Sequence, residues 1–177
     1  MTEGSLSGLT LQELISIFDG APPSGPDYAV SFYDDVAAAI GNHGDRGVRV
    51  LLDRLGNTED VARLHGALVG ITVRPLPTDQ SVDVLPLLVS MLRHPDPLIV
   101  TAAIDALAAL GCSTIAKQVQ ALSRHPNPYV RASAVRYIAQ ILPDIGIAVA
   151  LEALHDEHHS VRSTAIDQLG ELGAIET

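Results

Sequence analysis

The sequence predicts an all-α fold: a right-handed superhelical solenoid of antiparallel helix pairs, about ten helices in all. Three observations predict it. A 31-residue unit recurs three times without a gap. The apolar columns of that unit fall on one helical stripe. The composition suits thin, similar layers better than one large core: 47% of the 177 residues are hydrophobic, only 3% are aromatic, and there is no Trp. Ala, Leu, Val and Ile must therefore do the packing, and they let helices approach closely.

The elements follow in chain order. Thr10-x-x-Glu13 has the spacing of a capping box and predicts a helix over Leu9 to Phe18. A Pro/Gly-rich linker, 20–26, separates it from a second helix over Tyr28 to Ile40. Gly41, Gly44 and Gly47 then break the chain. These residues, 1–46, form an acidic N-terminal cap. A divergent repeat spans 47–80. Its first helix runs from Gly47 to Arg54. Leu55 to Arg63 (LGNTEDVAR) matches the spacing of Leu154 to Arg162, and a longer loop over 74–80 absorbs six extra residues.

Three clear repeats occupy 81–111, 112–142 and 143–173. Leu92 to Leu107 reads LRHPDPLIVTAAIDAL, Ser123 to Ile138 reads SRHPNPYVRASAVRYI, and Leu154 to Leu169 reads LHDEHHSVRSTAIDQL. The aligned columns are Ile99/Val130/Val161, Ala103/Ala134/Ala165, Ile104/Val135/Ile166 and Leu107/Ile138/Leu169. Their spacing is that of one buried helix face. The preceding helices place Val82, Leu85, Leu88 and Met91, then Ile115, Val119 and Leu122, then Ile147, Leu151 and Leu154 toward the core.

Proline explains the turns, because it disfavours helix in the residue before it. Asp96 and Asn127 are N-caps, with Pro97 and Pro128 at the first helical position. In the last unit Ser160 or His159 must serve instead.

Over residues 81–173 the chain resembles the short HEAT-like repeats of phycobilin lyase subunits. The residues that carry the likeness are PNPYVRASAV (126–135) and SVRSTAI (160–166), with Gly111, Gly170 and Gly173 near helix ends. The resemblance implies that Arg131 and Arg162 are structural, each bonding a neighbouring turn, with Asp96, Asn127 and Asp156 as partners. The first unit has Val100 in that column, so an arginine ladder is broken there. The resemblance also implies a curved binding scaffold whose second helices line the concave side, so that a partner is expected on that side or on the acidic N-terminal surface. Some relatives are enzymes, among them bilin lyases, iron-dependent hydroxylases and DNA glycosylases, so the repeat alone does not choose.

Charge narrows the partners. There are 21 acidic against 11 basic residues, a formal net charge of -10. This opposes a nucleic-acid partner and adsorption on an anionic membrane. It favours a protein partner, basic if charged. Residues 1–45 hold seven of the acids and no Lys or Arg. The apolar stretch from Pro97 to Ala116 contains Asp105 and reads as a buried helix pair, not a membrane span. One cysteine, Cys112, excludes an internal disulfide and fits a reducing cytoplasm. The oligomeric state is left open.

No catalytic residue, cofactor or metal site is expected. His155-Asp156-Glu157-His158-His159 is the most metal-like cluster, but it occurs once and reads as a solvated turn. Cys112 reads as a small packed residue, lacking a nearby His/Asp pair in sequence.

With the stripe inward, the second helices turn His65, Asp105, Arg136, Tyr137, Gln140, Asp167, Gln168 and Glu171 outward as the candidate partner surface. Tyr137 is the expected anchor, an amphipathic ring between Arg136 and Gln140. The functional reading is a non-catalytic protein-interaction scaffold, with an acidic inhibitor of a basic toxin as a special case. The alternative is an enzyme or chaperone acting on a protein.

Overall fold

The computed structural model describes residues 6–22, 28–74 and 78–174, with side chains at all of these except 78–83. Among the described residues there are ten α-helices and no strand. The chain forms two compact units, Met1–Ser90 and Met91–Thr177.

The first unit contains α1 (Leu11–Asp19), α2 (Ala29–Gly41), α3 (Asp45–Asn57), α4 (Val61–Thr72) and nearly all of α5 (Thr78–Met91). The capping box starts α1: the Thr10 amide donates to Glu13 Oε2 at 2.8 Å, and the Glu13 amide donates to Thr10 Oγ1 at 3.3 Å. Helices α2 and α4 touch backbone to backbone. A Cβ added at Gly70 would stand 2.6 Å from the Ala37 carbonyl oxygen, and one at Gly66 would stand 2.7 Å from Tyr33 backbone atoms.

Leu14, Phe18, Tyr33, Ile40, Leu51 and Leu68 fill the core around this crossing. Arg63 closes the C-terminus of α1, donating from Nε to the Phe18 carbonyl (3.2 Å) and from Nη2 to the Gly20 carbonyl (2.8 Å). A cation over a helix C-terminus opposes the negative end of its dipole.

Two sequence expectations change here. Thr78, Asp79 and Gln80 open α5, so the expected loop over 74–80 is shorter, and 75–77 lie outside the described residues. Gly47 lies buried inside α3, while Gly44, at φ +71°, makes the break before it. The Val82 side chain lies outside the description.

The second unit contains α6 (Pro97–Ala109), α7 (Ala116–Ala121) with a 3₁₀ turn at Leu122–Arg124, α8 (Pro128–Ile141), α9 (Pro143–Ala153) and α10 (His159–Glu171). Asp96 caps α6 by accepting from the Leu98 amide at 2.9 Å, and Asn127 caps α8 by accepting from the Tyr129 amide at 2.9 Å. Gly111 and Gly173 end α6 and α10 at φ +63° and +67°, where a glycine avoids the left-handed strain of other residues.

The columns at Ile99, Ala103 and Leu107 are buried in all three layers, including Ala134 and Ala165 at 0% exposure. Val135, Ala150, Val161, Ala165 and Leu169 form one cluster between α8 and the α9–α10 hairpin.

Three expectations fail in the third hairpin. Ile166 is 52% exposed although Ile104 and Val135 in its column are buried, because nothing among the described residues packs beyond it. On α9 the buried positions are Gly146 and Ala150, with Val149, Ala153 and Leu154 against the cluster, while Ile147 and Leu151 face outward. A helix this close to α8 must turn its smallest residues inward: a Cβ at Gly146 would stand 2.7 Å from Ala139 Cα. The cap of α10 is His158, whose Nδ1 accepts from the Ser160 amide at 3.3 Å, and not Ser160 or His159.

Candidate partner-binding surface

The turns that set the second helices are built by side chains. His94 Nδ1 accepts from the Asp96 amide and His125 Nδ1 from the Asn127 amide, both at 3.1 Å. Asp156, in the same column, accepts from the His158 amide at 2.8 Å. The His-Asp-Glu-His-His segment is therefore turn chemistry: an acceptor two residues upstream satisfies a backbone donor. Among the described residues no group of three or more His, Cys, Asp or Glu converges to hold a metal ion.

Arg131 ties two layers together. Its Nε and Nη2 donate to the two Asp156 oxygens at 2.8 and 2.7 Å, and its Nη1 donates to the His125 and Pro126 carbonyls at 3.0 and 3.1 Å. This bidentate pair holds the Asp156 carboxyl below its usual range and raises the Arg131 guanidinium. Arg162 repeats only half of the pattern, its Nη1 donating to the Asp156 and Glu157 carbonyls at 2.9 Å.

The outward row on α6, α8 and α10 differs from the expected one. Asp105, Arg136, Gln140, Asp167 and Glu171 are on the surface, fully or in part. Arg136 Nη2 donates to Asp105 Oδ1 at 2.6 Å across one repeat and to Ser133 Oγ at 3.1 Å.

Tyr137 is not an exposed anchor. It is 0% exposed, and its hydroxyl donates to the Cys112 carbonyl at the start of the layer. Burial pushes its phenol up to about 12. The column explains this: Ala106 and Tyr137, seven residues past Ile99 and Val130, are both buried.

Gln168, in that column, is also buried at 4%, and its amide donates to Glu171 Oε2 at 2.9 Å. His65 lies in the first unit, largely buried, with Nδ1 2.7 Å from Asp34 Oδ1, so it presents no open surface. Cys112 is half-buried.

Residues outside the expected set do reach the surface. Tyr129 is 58% exposed and stacks edge-on with His158, the centroids 5.8 Å apart, and Leu98 occupies its column one repeat earlier. Their place one residue before the buried stripe was the available signal. A cleft of about 630 Å³ opens between α7 and α9, lined by Lys117, Gln120, Arg124, Glu152, His155 and Asp156. It lies on the first-helix side, away from the outward row.

Three of the seven acids of the N-terminal quarter are engaged within their own unit. Asp19 takes Arg54 Nε and Nη2 at 2.8 Å, Asp34 faces His65, and Glu13 caps α1.

Antiparallel helix hairpins in 31-residue register, with matched turns and matched buried alanines, define an α-helical repeat protein of the solenoid class. The family model for HEAT repeats matches residues 115–177, and that for the HEAT repeat matches 84–111. Together they cover just over half of the sequence, and the chain belongs to the HEAT repeat family. Such repeats commonly mediate protein–protein interaction. No curated protein matches the chain. Among the described residues no helix is long and apolar enough to cross a membrane.

Proposed function

We propose that the chain is a non-catalytic protein-interaction scaffold, acting in a reducing cytoplasm, that receives a basic segment of a protein partner along the outward row of α6, α8 and α10. One observation carries the reading. Asp167 and Glu171 are exposed on α10 with no cation against them among the described residues, whereas Arg136, the row's basic residue, is already held by Asp105. The row therefore offers unbalanced negative charge beside the neutral Gln140. Complementary charge of this kind steers a basic partner and is weakened by salt. An inhibitor of a basic toxin is one case of such a scaffold.

The test is affinity capture from the native host with the wild type and with Asp167→Lys/Glu171→Lys, both verified by thermal melt. The wild type retains a partner with a basic contact segment, and charge reversal or raised salt releases it. A partner captured equally by both chains refutes the site. Mass spectrometry of the captured partner separates the enzyme or chaperone alternative: a chemical change that depends on this chain supports that alternative instead.

A further inference from the structure

The face with which α8 holds the third hairpin recurs 31 residues later on α10. On α8 it consists of Arg131, Ala132, Val135 and Ala139, each less than a tenth exposed. Ala132 and Val135 enter the cluster with α9 and α10, and Ala139 meets Gly146 at backbone distance. Arg131 grips the Asp156 carboxylate on the turn of the hairpin it receives.

The corresponding residues of α10 are Arg162, Ser163, Ile166 and Gly170. None of them is buried, and Ile166 is 52% exposed. Leu151 on α9 adds a second open apolar residue at 51%; its α7 counterpart, Gln120, lines the cleft toward α9.

Arg162 carries the more specific signal. Its Nη1 is bonded to turn carbonyls just as in Arg131, which fixes the direction of the side chain. Its Nε and Nη2, the atoms that hold a carboxylate in Arg131, have no partner among the described residues. The surface thus pairs two exposed apolar side chains, Ile166 and Leu151, with a bidentate donor that has no carboxylate among the described residues.

We propose that this face of α10 docks a helical hairpin of a partner protein that carries a carboxylate on its turn, seated as α9–α10 is seated on α8. The apolar residues of that hairpin cover Ile166 and Leu151, its backbone comes close at Gly170, and its carboxylate takes Nε and Nη2 of Arg162. This surface is separate from the outward row, and the inference does not rest on the function proposed above.

The test uses the full chain and, as probe, a synthetic peptide of residues 143–174, the hairpin this type of face is built to hold. Titration followed by calorimetry is expected to show saturable binding. Arg162→Ala in the chain, or Asp156→Ala in the peptide, weakens it roughly tenfold or more, the loss expected on removing one side of a bidentate charge-assisted bond. The two changes together cost no more than either alone. Ile166→Glu abolishes binding while leaving the melt of the chain close to wild type, because the residue is half-exposed. Absence of binding at millimolar peptide, or binding that survives Ile166→Glu, overturns the proposal. Sedimentation of the chain alone is the remaining check: self-association lost in Ile166→Glu assigns the face to a second copy and overturns the partner hairpin.

Discussion

Replacing Arg131 with alanine removes the strongest polar link between the second and third hairpins. The Arg131 and Asp156 side chains are 9% and 15% exposed, so water replaces little of what is lost. The variant forfeits two hydrogen bonds to Asp156, two to turn carbonyls and a longer one to the exposed Glu157 (3.4 Å), and leaves the Asp156 carboxylate with the His158 amide among the described residues. Breaking a buried pair from one side costs about 3–5 kcal/mol. The retained amide bond and residual exposure reduce this to about 2–4 kcal/mol.

With a urea m-value of about 2 kcal/mol/M, the midpoint of the transition reporting the second unit falls by roughly 1–2 M. The third hairpin loses most, so α9 and α10 amides exchange faster in native-state hydrogen exchange.

The acid dependence has a definite sign. Arg131 holds the Asp156 carboxyl below its unfolded value, so the unfolded chain takes up the proton first as pH falls. The stabilisation is complete at neutral pH and is lost as the pH drops from about 4, the ordinary carboxylate value, through the folded value. Arg131→Ala flattens that slope. A midpoint within about 0.2 M of wild type, or an unchanged acid slope, refutes a stabilising role for the Arg131–Asp156 pair.

Other perturbations give equally distinct outcomes. Tyr137→Phe loses the bond to the Cys112 carbonyl and costs about 1–2 kcal/mol in urea titration, while Tyr137→Ala empties a buried site and costs about 3–5 kcal/mol; a neutral Tyr137→Ala would return the ring to the surface. Ultraviolet titration of the phenols is expected to show one group ionising near 12, absent in Tyr137→Phe. Ala134→Asp yields no cooperative melt, because it buries an unpaired carboxylate at a fully enclosed position. Gly70→Ala forces α2 and α4 apart, since its methyl would stand 2.6 Å from a backbone oxygen, and lowers stability by about 1–3 kcal/mol in thermal or urea unfolding.

The sequence by itself determined the helical class, the 31-residue layer, the capping box at Thr10 and the Asp96 and Asn127 caps. All of these are local: helix periodicity, proline and a side-chain acceptor two or three residues from its donor need no distant partner. It also determined which alanines are enclosed, because a column shared by three layers marks the common interior.

Only the tertiary structure decided the rest. Tyr137 and Gln168 turn inward because they meet the neighbouring layer, and a single-helix projection does not represent that layer. Gly146 and Ala150, not Ile147 and Leu151, face α8 because backbone closeness outranks hydrophobicity where two helices nearly touch. Ile166 is open because no described residue covers it, whereas Ile104 and Val135 of its column are each covered by a following hairpin. Arg131 and Arg162 share a position and a first half of their bonding, yet among the described residues only Arg131 holds a carboxylate. A periodic pattern specifies which way a side chain leaves its helix; what it meets there depends on the three-dimensional neighbour, and that neighbour is where the candidate surfaces of this protein are decided.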